Sequence, residues 1–468
     1  MYKALLCWRY LKTRYLAIVC VVSVMLGVAT LIVVNSVMAG FSHKLRDRLH
    51  GLLSDVSVES VEFDGFADPA EKMRRIAASP AGKYVEAMTP TIETFAMMQF
   101  PYRGMTLTKQ VQLIGVDLAT RVPVGGFAEY LVDQDHKPIA PSFELTDQAA
   151  YRLNAFRMPG QPTLPPIDPL VPGEAPPPEA WDHGEKKIEG IIVGQAIACY
   201  RDDGAKPTEL KEIYTLLPGD MPTIICAGGA KLAPVFDRFA VAGYFKSEMS
   251  EYDAHCVFVP LDHLQRLRGM QGRADHILIK LTDYSKARYV VDELKKIFAR
   301  DSFQVMTWED KQGPLLAAID IERGILNVLL FMIVGVAGFG ILAIFSMIVV
   351  EKTRDIGILK ALGASNRGVM GIFLSYGLLL GTVGAILGTV IGLSLTHWIN
   401  DVEHFISFLT GHEVFNRRVY YFDSIPTFIQ AGSVFWVNIG SIAIAVVFSV
   451  LPAMRAAMLQ PVRALRYE

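Results

Sequence analysis

Charged residues are scarce in this sequence. Asp, Glu, Lys and Arg make up 20% of the 468 residues, against roughly 25% in ordinary soluble domains, whereas hydrophobic residues make up 51% and the mean hydropathy is +0.32. The net charge is −2, and neither a basic tail nor an acidic run is present, so nothing points to a nucleic-acid partner. This composition predicts a membrane protein that carries a sizeable soluble part.

The motifs of common catalytic sites are missing as well. Gly82-Lys83 is the only Gly-Lys pair, and no glycine lies five residues before Gly82, so the chain has no phosphate-binding P-loop. No GxSxG motif occurs, and the pair His412-Glu413 lacks the second histidine of HExxH. We therefore expect a chain that is not an enzyme, binds no cofactor itself and has no catalytic or metal site.

Cysteine and histidine indicate no special chemistry. Three cysteines lie outside the first apolar run and could form at most one disulfide, a point that the sequence leaves open. Asp253, His255 and His263 are close in sequence, and we interpret them as polar surface rather than as a metal site. The five cysteines form no CxxC pair; they are Cys7, Cys20, Cys199, Cys226 and Cys256.

Four stretches are long and apolar enough to cross a membrane, since about 20 apolar residues span ~30 Å of hydrocarbon. The first has a basic start and the small residues "SVMAG", as a cleaved signal peptide would. Its apolar core is roughly twice the 7–15 residues of a signal peptide, which favours a retained anchor. The predicted spans are residues 15–41, 324–350, 368–399 and 431–454.

Basic residues near the spans predict their orientation. The loop 400–430 has only Arg417 and Arg418 against four acidic residues. The segments 1–14, 351–367 and 455–468 are therefore predicted to be cytoplasmic, and the large region 42–322 to be external. The basic residues that decide this are Lys3, Arg9, Lys12, Arg14, Lys352, Arg354, Lys360, Arg367, Arg455, Arg463 and Arg466.

The external region 42–322 is long enough for one or two packed domains. Strand-like runs such as "VQLIGVDL", "IEGIIVGQ" and "HCVFVPL" alternate with helical patterns such as "DPAEKMRRIAAS". Residues 276–308 read strand, helix, strand, with Thr282 or Asp283 as the helix cap. The fold class is thus an α-helical membrane protein with four transmembrane helices and a large α+β domain between helices 1 and 2. Residues 157–180 are rich in proline and predict an extended surface excursion.

The third span contains glycines at GxxxG spacing. Small residues at this spacing allow membrane helices to approach closely. The pattern predicts tight packing but leaves open whether the neighbouring helix belongs to the same chain. The glycines are Gly377, Gly381, Gly384, Gly388 and Gly392.

Between the second and third spans lies "EKTRDIGILKALGASNRG", residues 351–368. Its periodicity predicts a short helix with an apolar ridge of Ile358, Leu359 and Leu362. Gly363 can end this helix in the left-handed conformation, and Ser365 can cap the next one. The residues alone leave two interpretations open, a ridge for a protein partner or a helix lying in the lipid headgroups.

The segment "EKTRDIGILKALGAS", the glycine-rich third span and the C-terminal "LPAMRAAMLQPVRALRYE" resemble the permease family of FtsX, MacB and the lipoprotein-releasing LolC/LolE subunits. The layout of one span, a large external domain and three further spans is similar too. Within the chain, "VQLIGVDL", "IEGIIVGQAIA", "VAGYFKSEMSEYDAHCVFVPL" and "VYYFDSIPTFI" are most similar to the lipoprotein-releasing branch.

This resemblance implies a dimer of permeases, the same or paired, on two copies of a cytoplasmic ABC ATPase that holds ATP and Mg²⁺. The connecting helix would be the coupling helix on that ATPase, and the ATPase would drive the external domains by mechanotransmission. Acylated proteins would enter between spans one and two and pass to a periplasmic carrier. The residues implied in ATPase coupling are Glu351, Arg354, Asp355, Ile358, Leu359, Leu362 and Gly363.

In the lipoprotein-releasing branch, a hook on the external domain contacts the carrier. The matching segment here is "TIICAGGAKLAPVFDRF", residues 223–239, which is shorter than the family pattern. The candidate carrier contacts are Ala227, Lys231, Leu232 and Pro234.

The preferred hypothesis is a permease subunit in the bacterial inner membrane that releases lipoproteins. The alternatives are MacB-like export of peptides or amphiphiles through an outer-membrane partner, and FtsX-like regulation of a cell-wall hydrolase. The large external domain argues against the last of these.

Overall fold

The computed structural model describes residues 15–156, 188–201, 212–229, 233–247, 249–299, 301–410 and 424–460. The predictions for residues 1–14 and 157–180, for Lys231 and Leu232, and for the tail beyond residue 460 lie outside these ranges. The chain forms two compact units. We call residues 46–313 the insert domain and the described residues of 15–45 and 314–460 the membrane unit.

Helices and strands alternate along the insert domain, and long helices make up most of the membrane unit. The helices are α1 Tyr15–Leu52, α2 Pro69–Ala77, α3 Leu118–Arg121, α4 Asp147–Phe156, α5 Gln195–Ala198, α6 Ser250–Asp253, α7 Leu261–Arg268, α8 Ala287–Ile297, α9 Trp308–Lys311, α10 Gly313–Glu351, α11 Thr353–Ala361, α12 Asn366–His397, α13 Ile399–Thr410 and α14 Ala431–Met458. The strands are β1 Val56–Ser60, β2 Phe66–Ala67, β3 Val85–Tyr102, β4 Met105–Val116, β5 Leu131–Val132, β6 Gly190–Gly194, β7 Cys199–Arg201, β8 Glu212–Tyr214, β9 Thr223–Ala227, β10 Pro234–Arg238, β11 Ala240–Phe245, β12 Cys256–Pro260, β13 Arg273–Ala274, β14 His276–Leu281 and β15 Phe303–Thr307.

Four helices of the described chain, α1, α10, α12 and α14, are long and apolar enough to cross a membrane. Together with the mixed α/β insert domain, they confirm the predicted fold class. Helix α1 continues to Leu52 and α10 begins at Gly313, so both are longer than their apolar spans. Charged side chains do not interrupt backbone hydrogen bonding, and a helix can therefore extend beyond its hydrocarbon-spanning part. The sequence also did not predict α13 within the loop 400–430.

The glycine stripe of α12 packs against two helices of the same chain. All five glycines are buried. A Cβ added at Gly381 would lie 2.8 Å from Ala445 Cβ on α14, and Gly377 meets Ser449 on the same helix. Gly384, Gly388 and Gly392 face α1, where a Cβ at Gly388 would lie 2.6 Å from the carbonyl oxygen of Met25. Because lipid provides no hydrophobic drive for helix association, this close approach stabilises the bundle through van der Waals contact.

The insert domain is built on one 11-stranded sheet with the order β15-β1-β14-β3-β4-β12-β6-β11-β5 and the hairpin β9-β10 beside β3. The pairs β12–β4 and β11–β6 are parallel, and the other pairs of this sheet are antiparallel. Strand β3 has 18 residues. On one side it pairs with β14 and then with β9, and on the other side with β4. The sequence did not predict this long central strand, which contains Pro90 and Pro101.

Two hydrophobic cores lie along the sheet. One is formed by β1, β14 and β15 with α2 and α8, and the other by β4, β6, β9, β11 and β12 with α7. The predicted strand-helix-strand unit is β14, α8 and β15, and Asp283 caps the turn that leads into α8 by accepting a hydrogen bond from Ser285 N at 2.9 Å. The face predicted for α8 is buried, namely Ala287, Val290, Val291, Leu294 and Phe298.

The interpretation of Asp253, His255 and His263 as polar surface is wrong for two of them. Asp253 is buried and accepts hydrogen bonds from the backbone and hydroxyl of Ser247, both at 2.7 Å. His263 is buried with its Nε2 2.9 Å from Asp237 Oδ2. Both fill structural roles, since buried polar groups need partners. Within the described part of the chain, Cys199, Cys226 and Cys256 form no disulfide.

The close approach of α12 to α1 at the glycine stripe can be tested by substitution. Gly388→Val should lower the free energy of unfolding by about 1–3 kcal/mol, because the added methyl groups overlap α1. Gly340→Val on α10 is the matched control, since no atom lies within 4 Å of a Cβ there. The measurement is thermal unfolding of the detergent-solubilised chain. Equal losses for the two variants would contradict the packing described.

Candidate functional site: the connecting helix

Helix α11 connects the second and third spans, and its termination is well defined. Gly363 has φ +98°, the left-handed conformation predicted for it. Ala364 N donates to Leu359 O at 3.0 Å and Gly363 N to Lys360 O at 3.0 Å, the two bonds of a Schellman motif. Ser365 Oγ then accepts from Gly368 N at 3.1 Å and caps α12, also as predicted. The two helices are therefore joined by a short, hydrogen-bonded corner.

One side of α11 is an exposed apolar ridge. Ile358, Leu359 and Leu362 have exposed fractions of 43%, 45% and 81%. Arg354 and Asp355 are exposed as well, and Asp355 Oδ2 accepts a hydrogen bond from Lys352 Nζ at 2.6 Å. We call Ile358, Leu359 and Leu362 the ridge. It combines apolar area with charges of both signs nearby, which suits a docking surface rather than a chemical site.

The opposite side of α11 is anchored to three membrane helices. Ile356 is 3% exposed and packs in a cluster with Val349 of α10, Val369 of α12 and Ala456 of α14. Thr353 Oγ1 donates to Val349 O at 3.0 Å, which closes the corner between α10 and α11. Because well-packed side chains transmit displacement, a force on the ridge acts on all three helices.

Lys360 provides a second anchor that the sequence interpretation missed. Its Nζ donates to Ala457 O at 2.8 Å and to Leu459 O at 2.6 Å, at the C-terminal end of α14. These carbonyls have no partner within their own helix, and a cation at a helix C-terminus is favourable. The sequence around Lys360 does not indicate this contact, because the two carbonyls belong to residues almost 100 positions further along the chain.

The residues implied in ATPase coupling all lie on the segment from the end of α10 to the corner that follows α11. The structure places all of them at exposed positions, with Glu351 at the last position of α10 and Gly363 at the C-terminal corner. The set is Glu351, Arg354, Asp355, Ile358, Leu359, Leu362 and Gly363. The structure therefore collects them on one local surface, and Lys360 and Ile356 hold that surface in place.

The candidate carrier segment 223–239 is a β-hairpin. Ala227 of β9 pairs with Pro234 of β10 at the tip end of the strands, and Gly228 N donates to Ala233 O at 2.8 Å. Arg268 fixes this end, since its Nε donates to Ala227 O at 3.0 Å and its carbonyl accepts from Gly229 N at 2.9 Å. Pro234 is exposed, whereas Lys231 and Leu232 lie outside the described residues.

Comparison with known proteins agrees with the resemblance seen in the sequence. Residues 327–461 match the family FtsX-like permease C-terminal. The lipoprotein-releasing system transmembrane protein LolC of Xylella fastidiosa is 24% identical over 476 residues, which cover 98% of this chain and 97% of the relative. The LolC protein of Neisseria meningitidis is 24% identical over 98% of both chains. LolE of Haemophilus influenzae is 27% identical over 61% of this chain and 66% of its own length.

Solved structures give a weaker likeness. The periplasmic region of MacB from Actinobacillus actinomycetemcomitans superposes with a TM-score of 0.28 at 11% identity, covering 58% of this chain and 97% of that one. The extracellular domain of the transporter YknZ has a TM-score of 0.25 at 10% identity, covering 54% and 99%. From the sequence matches, the predicted resemblance to the ABC permease family of FtsX and LolC/LolE is confirmed.

The Lys360 anchor can be tested by substitution. Lys360→Met keeps the apolar stem but removes the ammonium group, so the carbonyls of Ala457 and Leu459 lose their donor. We expect a loss of about 1–3 kcal/mol in the free energy of unfolding. The control is Arg367→Met, which removes a charge from an exposed position two residues after Ser365. Thermal unfolding in detergent is the measurement, and a loss no larger than the control's would show that the anchor contributes nothing.

Proposed function

We propose that this chain is the permease subunit of an ABC-type system that releases lipoproteins from the bacterial inner membrane. The supporting observation is that relatives named as lipoprotein-releasing transmembrane proteins align with 97–98% of their length. The alignment therefore includes the insert domain as well as the membrane unit. The chain itself performs no ATP hydrolysis in this proposal, and a separate cytoplasmic ATPase supplies the energy.

The ATPase binds at the ridge of α11. Three large apolar side chains are exposed there, and the opposite side of the helix is packed against α10, α12 and α14. Because the helix is already held in place, binding a partner costs little conformational entropy. The ridge is short, and its helix has exposed charges of both signs beside it, Arg354 and Asp355. A helix lying in lipid headgroups instead carries a wide apolar face opposite a basic one. The charge pattern thus favours a protein partner over a lipid surface.

Continuous helices carry the motion from the ridge. Helix α10 has 39 residues without a break, a length of roughly 58 Å at 1.5 Å per residue. It ends one residue before α11, and its first residue, Gly313, is the last residue of the insert domain. A displacement at the ridge therefore reaches the start of α10 without passing a flexible joint, as mechanotransmission requires.

The proposed assembly has two permeases, identical or paired, two ATPase subunits and a periplasmic lipoprotein carrier. Helix α10 has a largely exposed apolar surface, including Val328, Phe331 and Val336 at 62%, 58% and 70%. We assign this surface to lipid, to the second permease and to the entering cargo. The β9-β10 hairpin, with Ala227 and Pro234 at the paired end of its strands, is the proposed carrier contact.

The proposal is tested first at the ridge. In proteoliposomes that contain the chain, its ATPase and an acylated lipoprotein, Leu359→Asp should weaken ATPase binding at least roughly tenfold and abolish ATP-dependent release, because it buries a charge in an apolar interface. Leu359→Met is the control, since it conserves volume and polarity. Binding is measured by pull-down and release by the lipoprotein recovered in the soluble fraction.

Two outcomes separate the parts of this proposal. Unchanged ATPase binding by Leu359→Asp overturns the assignment of the ridge. Failure of the wild-type assembly to release lipoprotein, with its ATPase active and bound, overturns the lipoprotein function while leaving the ridge intact.

Orientation is tested by cysteine labelling in intact cells, in a background where Cys7 and Cys199 are replaced by serine. Asp135→Cys, at a side chain that is 72% exposed, should react with a membrane-impermeant thiol reagent added outside. Leu362→Cys, at an 81% exposed residue, should react only after the membrane is permeabilised. The reverse pattern would show that the ridge faces away from the cytoplasm.

A further inference from the structure

The insert domain contains a cavity of about 150 Å³. Most of its lining is apolar, including Ile114 of β4, Phe258 of β12 and Leu278 of β14. Leu278 lies on the opposite face of β14 from Ile277 and Ile279, which fill the core with α8. Residues that alternate along a strand point to opposite faces of the sheet. The cavity therefore lies across the sheet from that core.

Two hydrogen-bond donors in the cavity lining lack acceptors. Nη1 of Arg121 and Nε1 of Trp308 are buried, and neither has a hydrogen-bond partner among the described residues. Arg121 is 6% exposed and Trp308 is 5% exposed. A buried donor without an acceptor costs about 1–3 kcal/mol, so native proteins almost always provide a partner.

The Arg121 guanidinium also lacks a counter-ion. Its Nη2 donates only a long bond of 3.4 Å to Leu52 O, and within the described part of the chain no carboxylate oxygen lies within the 4.0 Å of an ion pair. Burial lowers the pKa of Arg121 to about 10, against the opposing effect of Glu93, so the group still carries its charge at neutral pH. The Phe127 ring, whose centroid lies 5.4 Å from the guanidinium carbon, offsets part of the cost of this buried charge, and a bound anion would offset more of it.

The other charged groups of the lining already have partners. Lys311 Nζ donates to Glu59 Oε1 at 2.7 Å, and Glu93 Oε2 accepts from Gln112 Nε2 at 2.9 Å. Of the two cations in the described lining, Arg121 is therefore the one without a carboxylate within 4.0 Å, and the Glu93 carboxylate acts on it from farther away. The rest of the lining combines apolar side chains with the polar residues Ser54, Ser57 and Gln312, and the cavity has the size of cavities that bind a benzene ring.

We propose that this cavity binds a small amphiphilic carboxylate, with the carboxylate on Arg121 and Trp308 and a compact apolar body against Ile114, Phe258 and Leu278. Water could accept from the two donors, but it could neither neutralise the guanidinium nor gain from the apolar walls. The lining includes Leu52 at the end of α1 and Gln312 directly before α10. A bound ligand would therefore hold together the two segments by which the chain enters and leaves the insert domain. The inference does not depend on lipoprotein release.

Calorimetric titration of the full-length chain in detergent tests the site, with benzoate and its neutral analogue benzamide as probes. Benzoate should bind with one site per chain and at least roughly tenfold more tightly than benzamide, since a charge-assisted pair is stronger than a neutral one. Arg121→Met should remove this preference. Arg288→Met, at an exposed position on α8, is the matched control and should retain it.

A second variant keeps the test decisive if Arg121→Met does not fold. Ile114→Trp fills the cavity and should abolish binding of both probes, whereas Val61→Trp adds the same side chain at a 64% exposed position and should not. The proposal is wrong if wild-type protein shows no saturable benzoate binding at millimolar concentrations. It is equally wrong if Ile114→Trp binds benzoate like wild type, or if Arg121→Met folds and keeps the preference for the anion.

Discussion

The close approach of α12 to two other helices is the contact on which the membrane unit depends. Apolar helices gain no hydrophobic free energy by associating in hydrocarbon, so their packing must come from surfaces that fit at short range. Gly377 and Gly381 bring α12 onto α14, and Gly384, Gly388 and Gly392 bring it onto α1. A single helix thus holds the first and fourth spans together. Its N-terminus is also the point where the connecting helix is attached.

The connecting helix α11 is held firmly against the membrane helices by this packing. Ile356 is buried between α10, α12 and α14, and Lys360 binds the carbonyls of Ala457 and Leu459 at the C-terminal end of α14. The ridge on the other side remains exposed. Such a helix cannot tilt without moving the spans behind it, because the cluster at Ile356 is closely packed. The same residues that stabilise the loop therefore couple a displacement of the ridge to α10, α12 and α14.

The insert domain combines two hydrophobic cores with one incompletely filled space. Its long strand β3 joins two hydrophobic cores into one sheet, so the cores cannot separate without breaking continuous strand pairing. The space beside this strand is incompletely filled, and the buried Arg121 faces it without a counter-ion. Protein interiors seldom tolerate an unfilled volume and an unpaired charge in one place. Their coincidence is the physical basis for assigning a ligand to the cavity.

The sequence alone determined the four spans, the α+β insert domain, the glycine stripe and the ridge. It also determined that the connecting helix ends at Gly363 and that Ser365 caps the next helix. These features follow from hydropathy, local periodicity and backbone conformational preference, all of which act between near neighbours in the chain. Only the tertiary structure decided which helices the glycines face, that Lys360 caps α14, that β3 is central, and that Asp253 and His263 are buried. Each of these depends on residues distant in sequence, and composition and spacing contain no information about which distant segments meet.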